Sequence, residues 1–262
     1  MKRYCRGFYM SLGMFTAIPL PRRVWDDNCK SLLLPCLPLV GVVTGALWRG
    51  FAELLFLSDI SSIMYRFVFS AIFALLPFFL SGFLHLDGYM DTCDAMLSRR
   101  PLEEKLRILK DPHTGAFAVI MLAALFLLQF AAAMDALYFW KKELFALFIV
   151  ITVLSRCGSA LSFMCLTPLP QSEYAKIFRQ DVKPAHKVFV IIIAMAAVLF
   201  SFLYAGVSGL VVAAAVVLGY LAAMGSACRE FKGVSGDLTG FALTISELCG
   251  LIVFSMITSA TL

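Results

Sequence analysis

Seven long apolar stretches constrain this chain more than any other feature, at about 32–57, 63–84, 115–139, 143–166, 188–205, 207–227 and 241–262. Each approaches or exceeds the roughly 20 residues a helix needs to cross the hydrocarbon of a bilayer. Composition agrees: 15% of residues are charged, against roughly 25% in soluble domains. The expectation is an all-α integral membrane protein, a polytopic helical bundle of about seven transmembrane helices. No linker or internal repeat separates a second domain, so residues 1–262 read as one membrane-embedded unit. Pro35 and Pro38 shape the start of the first span, and Pro77 kinks the second. Gly41 and Gly45 form a small-xxx-small pair, which favours close helix packing.

Met1 to Pro21 has the basic start and apolar run of a signal peptide, but Pro19-Leu20-Pro21-Arg22-Arg23 offers no small-residue cleavage site. Tyr4, Phe8, Ser11 and Phe15 recur at helical spacing and indicate an N-terminal interfacial amphipathic helix. The eight cysteines contain no C-x-x-C pair, which argues against a zinc site or disulfide framework. Basic residues are strongly asymmetric: six up to Lys30, five in 85–113, four in 167–187 and two in 228–240, against Lys141 and Lys142 on the other side. That places the first set of connections in the cytoplasm and the protein in the cytoplasmic (inner) membrane as a multi-pass protein. Arg49, Arg66 and Arg156 remain within spans. Arg49 has Glu53 one turn away; Arg156 has no local acid and is expected to face the bundle interior or a polar cavity.

In a chain that avoids charge, Phe83-Leu84-His85-Leu86-Asp87-Gly88-Tyr89-Met90-Asp91-Thr92-Cys93-Asp94 holds three carboxylates and a histidine. On a helix, Asp87, Asp91 and Asp94 at i, i+4 and i+7 point to one side. Like charges about 6 Å apart repel by roughly 3 kcal/mol at an effective dielectric of 20. A proton, a basic partner or a hard divalent cation would relieve that repulsion, and magnesium commonly shares its ligands with waters and phosphates. A solvated acidic loop capping the next helix is the alternative, and spacing alone does not separate the two.

Two further polar constellations lie in the basic connections. Lys110-Asp111-Pro112-His113-Thr114-Gly115 forms a turn before the third span, and Lys110 is a candidate phosphate contact or an ordinary interfacial lysine. Gly233-Val234-Ser235-Gly236-Asp237-Leu238-Thr239-Gly240 precedes the last span; its glycines permit close backbone approach, and Asp237 is a candidate metal ligand. Glu247, about two turns into that span, is costly at such depth and so a functional candidate. His85 and His113 are candidates for proton transfer or phosphate donation, with helix capping as the alternative. No Walker or Rossmann glycine pattern and no Ser/His/Asp arrangement is present. The residues alone give a multi-spanning protein whose acidic cytoplasmic cluster binds a divalent metal and an anionic substrate.

Leu84-His85-Leu86-Asp87-Gly88, with Asp91-Thr92 and Asp94-Ala95, resembles the central signature of the cobalamin synthase family, the adenosylcobinamide-GDP ribazoletransferases. Leu109-Lys110-Asp111 with Gly115-Ala116-Phe117 resembles the family's second motif, and Gly236-Asp237 with Gly240 and Glu247 its third. Phe15-Thr16, Pro19 and Pro21 resemble its opening, so the likeness runs nearly end to end. Phe83 stands where a second glycine is expected, Cys93 replaces a small alanine, and Pro112-His113 replaces serine and arginine. Tyr174-Ala175 lacks a following Gly-Leu-Gly run, and Leu243 and Thr244 replace more polar residues. The acidic core is intact.

The resemblance implies a magnesium-dependent transferase that joins α-ribazole or its 5′-phosphate to adenosylcobinamide-GDP, releasing GMP and forming adenosylcobalamin or its phosphate. It implies Mg2+ on Asp87, Asp91, Asp94 and Asp237, with catalytic roles for His85, Asp91 and Lys110. Lys110, Asp111, His113, Gly115, Arg156, Gly236, Gly240 and Glu247 are the implied substrate contacts. The two substrates and the lipid bilayer are the expected partners, without nucleic acid, and a homo-oligomer stays open. A CDP-alcohol phosphotransferase of lipid synthesis is the alternative enzyme, although Asp91-Thr92 departs from that signature. A cation-coupled transporter using Glu247 and Arg156 would call for inverted repeats, which the sequence does not display.

Overall fold

The computed structural model describes residues 2–22, 24–57, 63–139, 141–179 and 182–260, and all of their regular elements are helical. α1 (Lys2–Phe15) comes first, followed by a 3-10 turn at Asp27–Leu32 and α2 (Leu33–Leu57). α3 (Ile63–Leu80), α4 (Leu84–Leu97), α5 (Leu102–Ile108) and α6 (Ala116–Tyr138) come next. α7 (Leu147–Cys165), α8 (Glu173–Arg179), α9 (Pro184–Phe231) and α10 (Gly236–Ala260) complete the order.

α1 is amphipathic, and its inner face carries the expected residues except in the first turn. Met10, Ser11 and Phe15 are buried, whereas Tyr4 is 66% exposed. Ser11 Oγ donates to the Leu33 carbonyl at 3.1 Å. Gly7 lies so close to Leu32 that a Cβ there would stand 2.6 Å from the leucine Cβ. α1 is thereby packed against the start of α2 by small and apolar residues.

The Gly41/Gly45 pair performs the expected packing. A Cβ on Gly45 would lie 2.6 Å from the Ile149 Cα, and one on Gly41 would lie 2.9 Å from the Val153 Cα. α2 and α7 therefore meet nearly backbone to backbone, and Thr152 Oγ1 donates across the seam to the Gly41 carbonyl at 2.8 Å. Toward the far end of the bundle, Trp48, Phe73, Phe148 and Phe254 pack ring on ring. Trp48 Nε1 donates to the Phe73 carbonyl at 3.1 Å, so its buried polar atom is satisfied.

Among the described residues, five helices are long and apolar enough to cross a membrane, and six if the bent pair α3 and α4 forms one span. α9 is counted once among them, yet it breaks at Ala205 (φ −128°, ψ 15°) and Gly206 (φ 58°, ψ −140°). A Cβ on Gly209 would lie 1.9 Å from the Ser201 carbonyl oxygen, which a continuous helix would hold about two turns away. α9 is thus a hairpin of two apolar arms, matching the separate stretches 188–205 and 207–227. The sharp turn near the second stretch falls at Gly82 and Phe83 rather than at Pro77, which sits inside α3. Both have positive φ (61° and 62°), and α4 leaves α3 at 92°.

The basic connections gather at one end of the bundle. Lys105 of α5 pairs with Glu230 near the end of α9. Gln171 Nε2 donates to the Leu106 carbonyl at 3.3 Å. Val234 and Thr167 are joined by a backbone hydrogen bond, and the Ala17 amide donates to the Leu80 carbonyl at the α3–α4 bend. Lys142 and its 3-10 turn (Lys142–Leu144) precede α7 on the opposite side.

Candidate active site

The site is built on α4, the short helix that the bend throws across the basic end. The buried side of α4 consists of His85, Leu86, Gly88, Tyr89, Thr92, Cys93 and Ala95. Asp87 is exposed and Asp91 and Asp94 are half-buried, so the expected carboxylate face exists and is open. Tyr89 fastens the other side: its hydroxyl donates to the Met121 carbonyl at 3.1 Å, and its ring stacks on Phe241 at 5.8 Å.

Two more sequence motifs arrive at this face through glycine. At Gly88 a Cβ would lie 2.7 Å from the Asp237 Cα, so the first turn of α10 rests directly on α4. At Gly115 a Cβ would lie 2.1 Å from Asp94 Oδ2. The Asp94 carboxylate thus lies against the N-terminus of α6, where exposed backbone N–H groups favour negative charge. Asp87, Asp237 and Asp94 all act electrostatically on the half-buried Asp91. Asp237 is itself held by Ser235 Oγ at 3.2 Å.

Among the described residues, none of these four aspartates forms an ion pair, and no three His, Cys, Asp or Glu side chains are tight enough to enclose a metal alone. An all-oxygen, partly open set of carboxylates suits a hydrated hard cation that takes its remaining ligands from water and phosphate. The residues therefore fit magnesium as a shared ion, not a caged one.

The remaining candidates divide by depth. Lys110, Asp111 and His113 are exposed in the turn between α5 and α6. His113 donates its backbone N–H to Asp111 Oδ1 at 2.9 Å, and its Nδ1 lies 2.7 Å from the same oxygen. These contacts hold the Asp111 carboxyl below its ordinary range, the backbone bond first. Gly236 opens onto free space, whereas a Cβ on Gly240 would lie 3.1 Å from the His85 carbonyl oxygen. Thr244 Oγ1 donates to the same carbonyl at 3.4 Å.

His85, Arg156 and Glu247 lie in the interior, 8%, 1% and 5% exposed. Arg156 does have an acidic partner, brought from another helix: Nη1 donates to Glu247 Oε1 at 2.5 Å. It also donates to the Thr152 carbonyl at 3.1 Å and to Ser155 Oγ at 3.3 Å. Ser155 Oγ completes the ring by donating to Glu247 Oε1 at 2.8 Å. Ser155 carries no signal in the sequence, and Thr244 stands out there only as a departure from the family's pattern. The signal for Thr244 was there: Asp237, Gly240, Thr244 and Glu247 follow at steps of three, four and three, which is one stripe of a helix.

The chain matches the profile of the CobS family, cobalamin-5-phosphate synthase, over residues 7–255. It is 36% identical over 252 residues to the adenosylcobinamide-GDP ribazoletransferase of Clostridium botulinum (strain Alaska E43), covering 96% of this chain and 97% of the relative. The protein of that name from Clostridium perfringens (strain ATCC 13124) is 34% identical over 259 residues, covering 98% and 100%. That from Geobacillus thermodenitrificans is 31% identical over 246 residues, covering 92% and 91%. No solved structure matches the chain significantly. With three motifs converging on one carboxylate face and a match across nearly the whole length, the chain belongs to the cobalamin-5-phosphate synthase family.

Proposed function

We propose that this chain joins α-ribazole, or its 5′-phosphate, to adenosylcobinamide-GDP, releasing GMP and forming adenosylcobalamin or its 5′-phosphate. The observation that carries the reading is the convergence of Asp87, Asp91 and Asp94 of α4 with Asp237 of α10 at the basic end. A ribazole hydroxyl attacks the cobinamide-side phosphorus. A phosphorus–oxygen bond forms to it as the bond to GMP breaks. Such a transfer asks the protein mainly for positioning and charge stabilisation. Asp87, Asp91, Asp94 and Asp237 would hold Mg2+, which when bound would supply charge neutralisation for the pyrophosphate and polarisation of the reacting phosphorus.

Asp91, electrostatically coupled to the other three carboxylates, takes the proton of the attacking hydroxyl. His85 is turned inward and is a supporting residue, not the base. Lys110, exposed beside the site, meets phosphate as a point charge. Lys110 stands in the turn braced by Asp111 and His113 that leads to Gly115, which packs against Asp94, and the open Gly236 leaves backbone room for the nucleotide. Arg156 and Glu247 neutralise each other, so neither is assigned a substrate contact. The basic end faces the cytoplasm across the inner membrane, where a soluble nucleotide-activated substrate is available.

Purified protein in lipid, given adenosylcobinamide-GDP, α-ribazole and magnesium, is expected to release GMP together with a complete corrinoid. Inertness in that assay, with transfer from a CDP-activated lipid to an alcohol, would replace this reading with lipid synthesis.

A further inference from the structure

The interior polar cluster lies beneath the carboxylate face and is joined to it through a single stripe of α10. Asp237 touches α4 at Gly88, Gly240 and Thr244 touch it at His85, and Glu247 reaches α7 at Arg156 and Ser155. Glu247 is ten residues beyond Asp237, about 15 Å along the helix. His85 opens α4 just before Asp87, and the Arg156 guanidinium acts on it electrostatically. Among the described residues, two buried atoms in the cluster, His85 Nε2 and Arg156 Nε, have no hydrogen-bond partner. Such atoms are costly to leave without a partner.

An ion pair of this kind is poor evidence for stability. Burying two charges offsets most of their attraction, and replacement by apolar residues of similar volume is commonly neutral or stabilising. What an internal pair with a fixed hydrogen-bond ring does supply is a single geometry. Arg156 is anchored on α7 through Thr152 and Ser155, and α7 is in turn locked to α2 at Gly41 and Gly45. Glu247 is therefore held beside the seam where α2 and α7 meet nearly backbone to backbone, and the stripe carries that position up to Asp237.

We propose that Arg156 and Glu247, with His85 above them, are positioning residues for the carboxylate site: they set how α10 lies on α4, and so the separation of Asp237 from Asp87, Asp91 and Asp94. This rests on the metal-site reading above. The pair makes the divalent-cation affinity a property of the membrane interior as well as of the exposed face. Loss of the pair loosens cation binding without a matching loss of fold.

The test uses Mn2+ as the probe, bound to purified protein in nanodiscs without substrate and followed by electron paramagnetic resonance, alongside thermal unfolding. The paired replacement Arg156→Met with Glu247→Leu leaves no orphan charge. It is expected to unfold at or above the wild-type temperature while its Mn2+ dissociation constant rises at least tenfold. A folded paired variant that binds Mn2+ within twofold of wild type would overturn the proposal. If that variant does not fold, His85→Leu carries the same readout: a several-fold weaker affinity supports the proposal, and unchanged affinity overturns it. Asp91→Asn separates the two layers of the argument. If it binds Mn2+ as well as wild type does, the metal-site reading fails and this proposal with it. If it abolishes binding while the paired replacement leaves it intact, only the positioning role falls.

Discussion

Gly88 of α4 and Asp237 of α10 meet with no room for a side chain between them: a Cβ at Gly88 would lie 2.7 Å from the Asp237 Cα and 2.8 Å from its carbonyl oxygen. Both neighbours are backbone, so relief requires a helix to move. Alanine ordinarily stabilises a helix over glycine by about 1 kcal/mol, yet here that gain is overridden. Gly88→Ala is expected to lower GMP release at least tenfold. Gly225→Ala, where a Cβ would meet nothing within 4 Å, is expected to retain wild-type turnover. Equal activity in the two variants would mean the α4–α10 contact does not set the site.

Phe83 occupies the left-handed conformation (φ 62°) at the α3–α4 bend and packs edge-on to Phe79 at 5.0 Å. A non-glycine residue there costs roughly 1–2 kcal/mol. Glycine would remove that strain but bring roughly 0.5–1 kcal/mol of extra unfolded-state freedom and lose an aromatic contact worth roughly 0.5–1.5 kcal/mol. The opposing effects nearly cancel. Phe83→Gly is expected to change stability by less than about 1 kcal/mol, whereas Phe83→Val, keeping the strain and losing the contact, is expected to destabilise by about 0.5–1.5 kcal/mol. Thermal unfolding of the purified variants distinguishes these outcomes.

The apolar helices were legible because hydrocarbon admits few forms, and Gly206 already divided two apolar stretches that the structure folds into a hairpin. The close α2–α7 seam was legible in Gly41 and Gly45 for the same reason: small residues on one face have few other uses in a span. The bend at Phe83 was not, because a phenylalanine carries no signal for a left-handed backbone and Pro77 offered a nearer explanation. Local spacing found the Arg49–Glu53 pair, which lies at 2.8 Å. It could not find Glu247 for Arg156, because that partner is 91 residues away and joins only when α7 packs on α10. The acidic face was legible as a helical spacing; that Gly88 and Gly115 bring the other two motifs onto it is a property of packing alone.

Orientation follows from the basic end. In a variant lacking the eight native cysteines, Arg100→Cys and Lys183→Cys are expected to resist membrane-impermeant thiol reagents in intact cells. Lys142→Cys is expected to react. Labelling at positions 100 and 183 with protection at 142 would invert the topology and separate the carboxylates from a cytosolic nucleotide.

The central claim is that the α4 carboxylates work through a divalent cation, and turnover against magnesium concentration tests it most directly. Wild type, Asp91→Asn and Glu103→Gln are compared with adenosylcobinamide-GDP and α-ribazole as substrates. Asparagine keeps the shape of Asp91 and removes its charge, while Glu103 is an exposed residue at the start of α5, outside the motif. Asp91→Asn is predicted to lose at least 100-fold in turnover, about 2.7 kcal/mol of transition-state stabilisation, with any residual activity shifted to higher magnesium. Glu103→Gln is predicted to follow the wild-type curve. Full activity in Asp91→Asn with an unchanged magnesium requirement would contradict the claim.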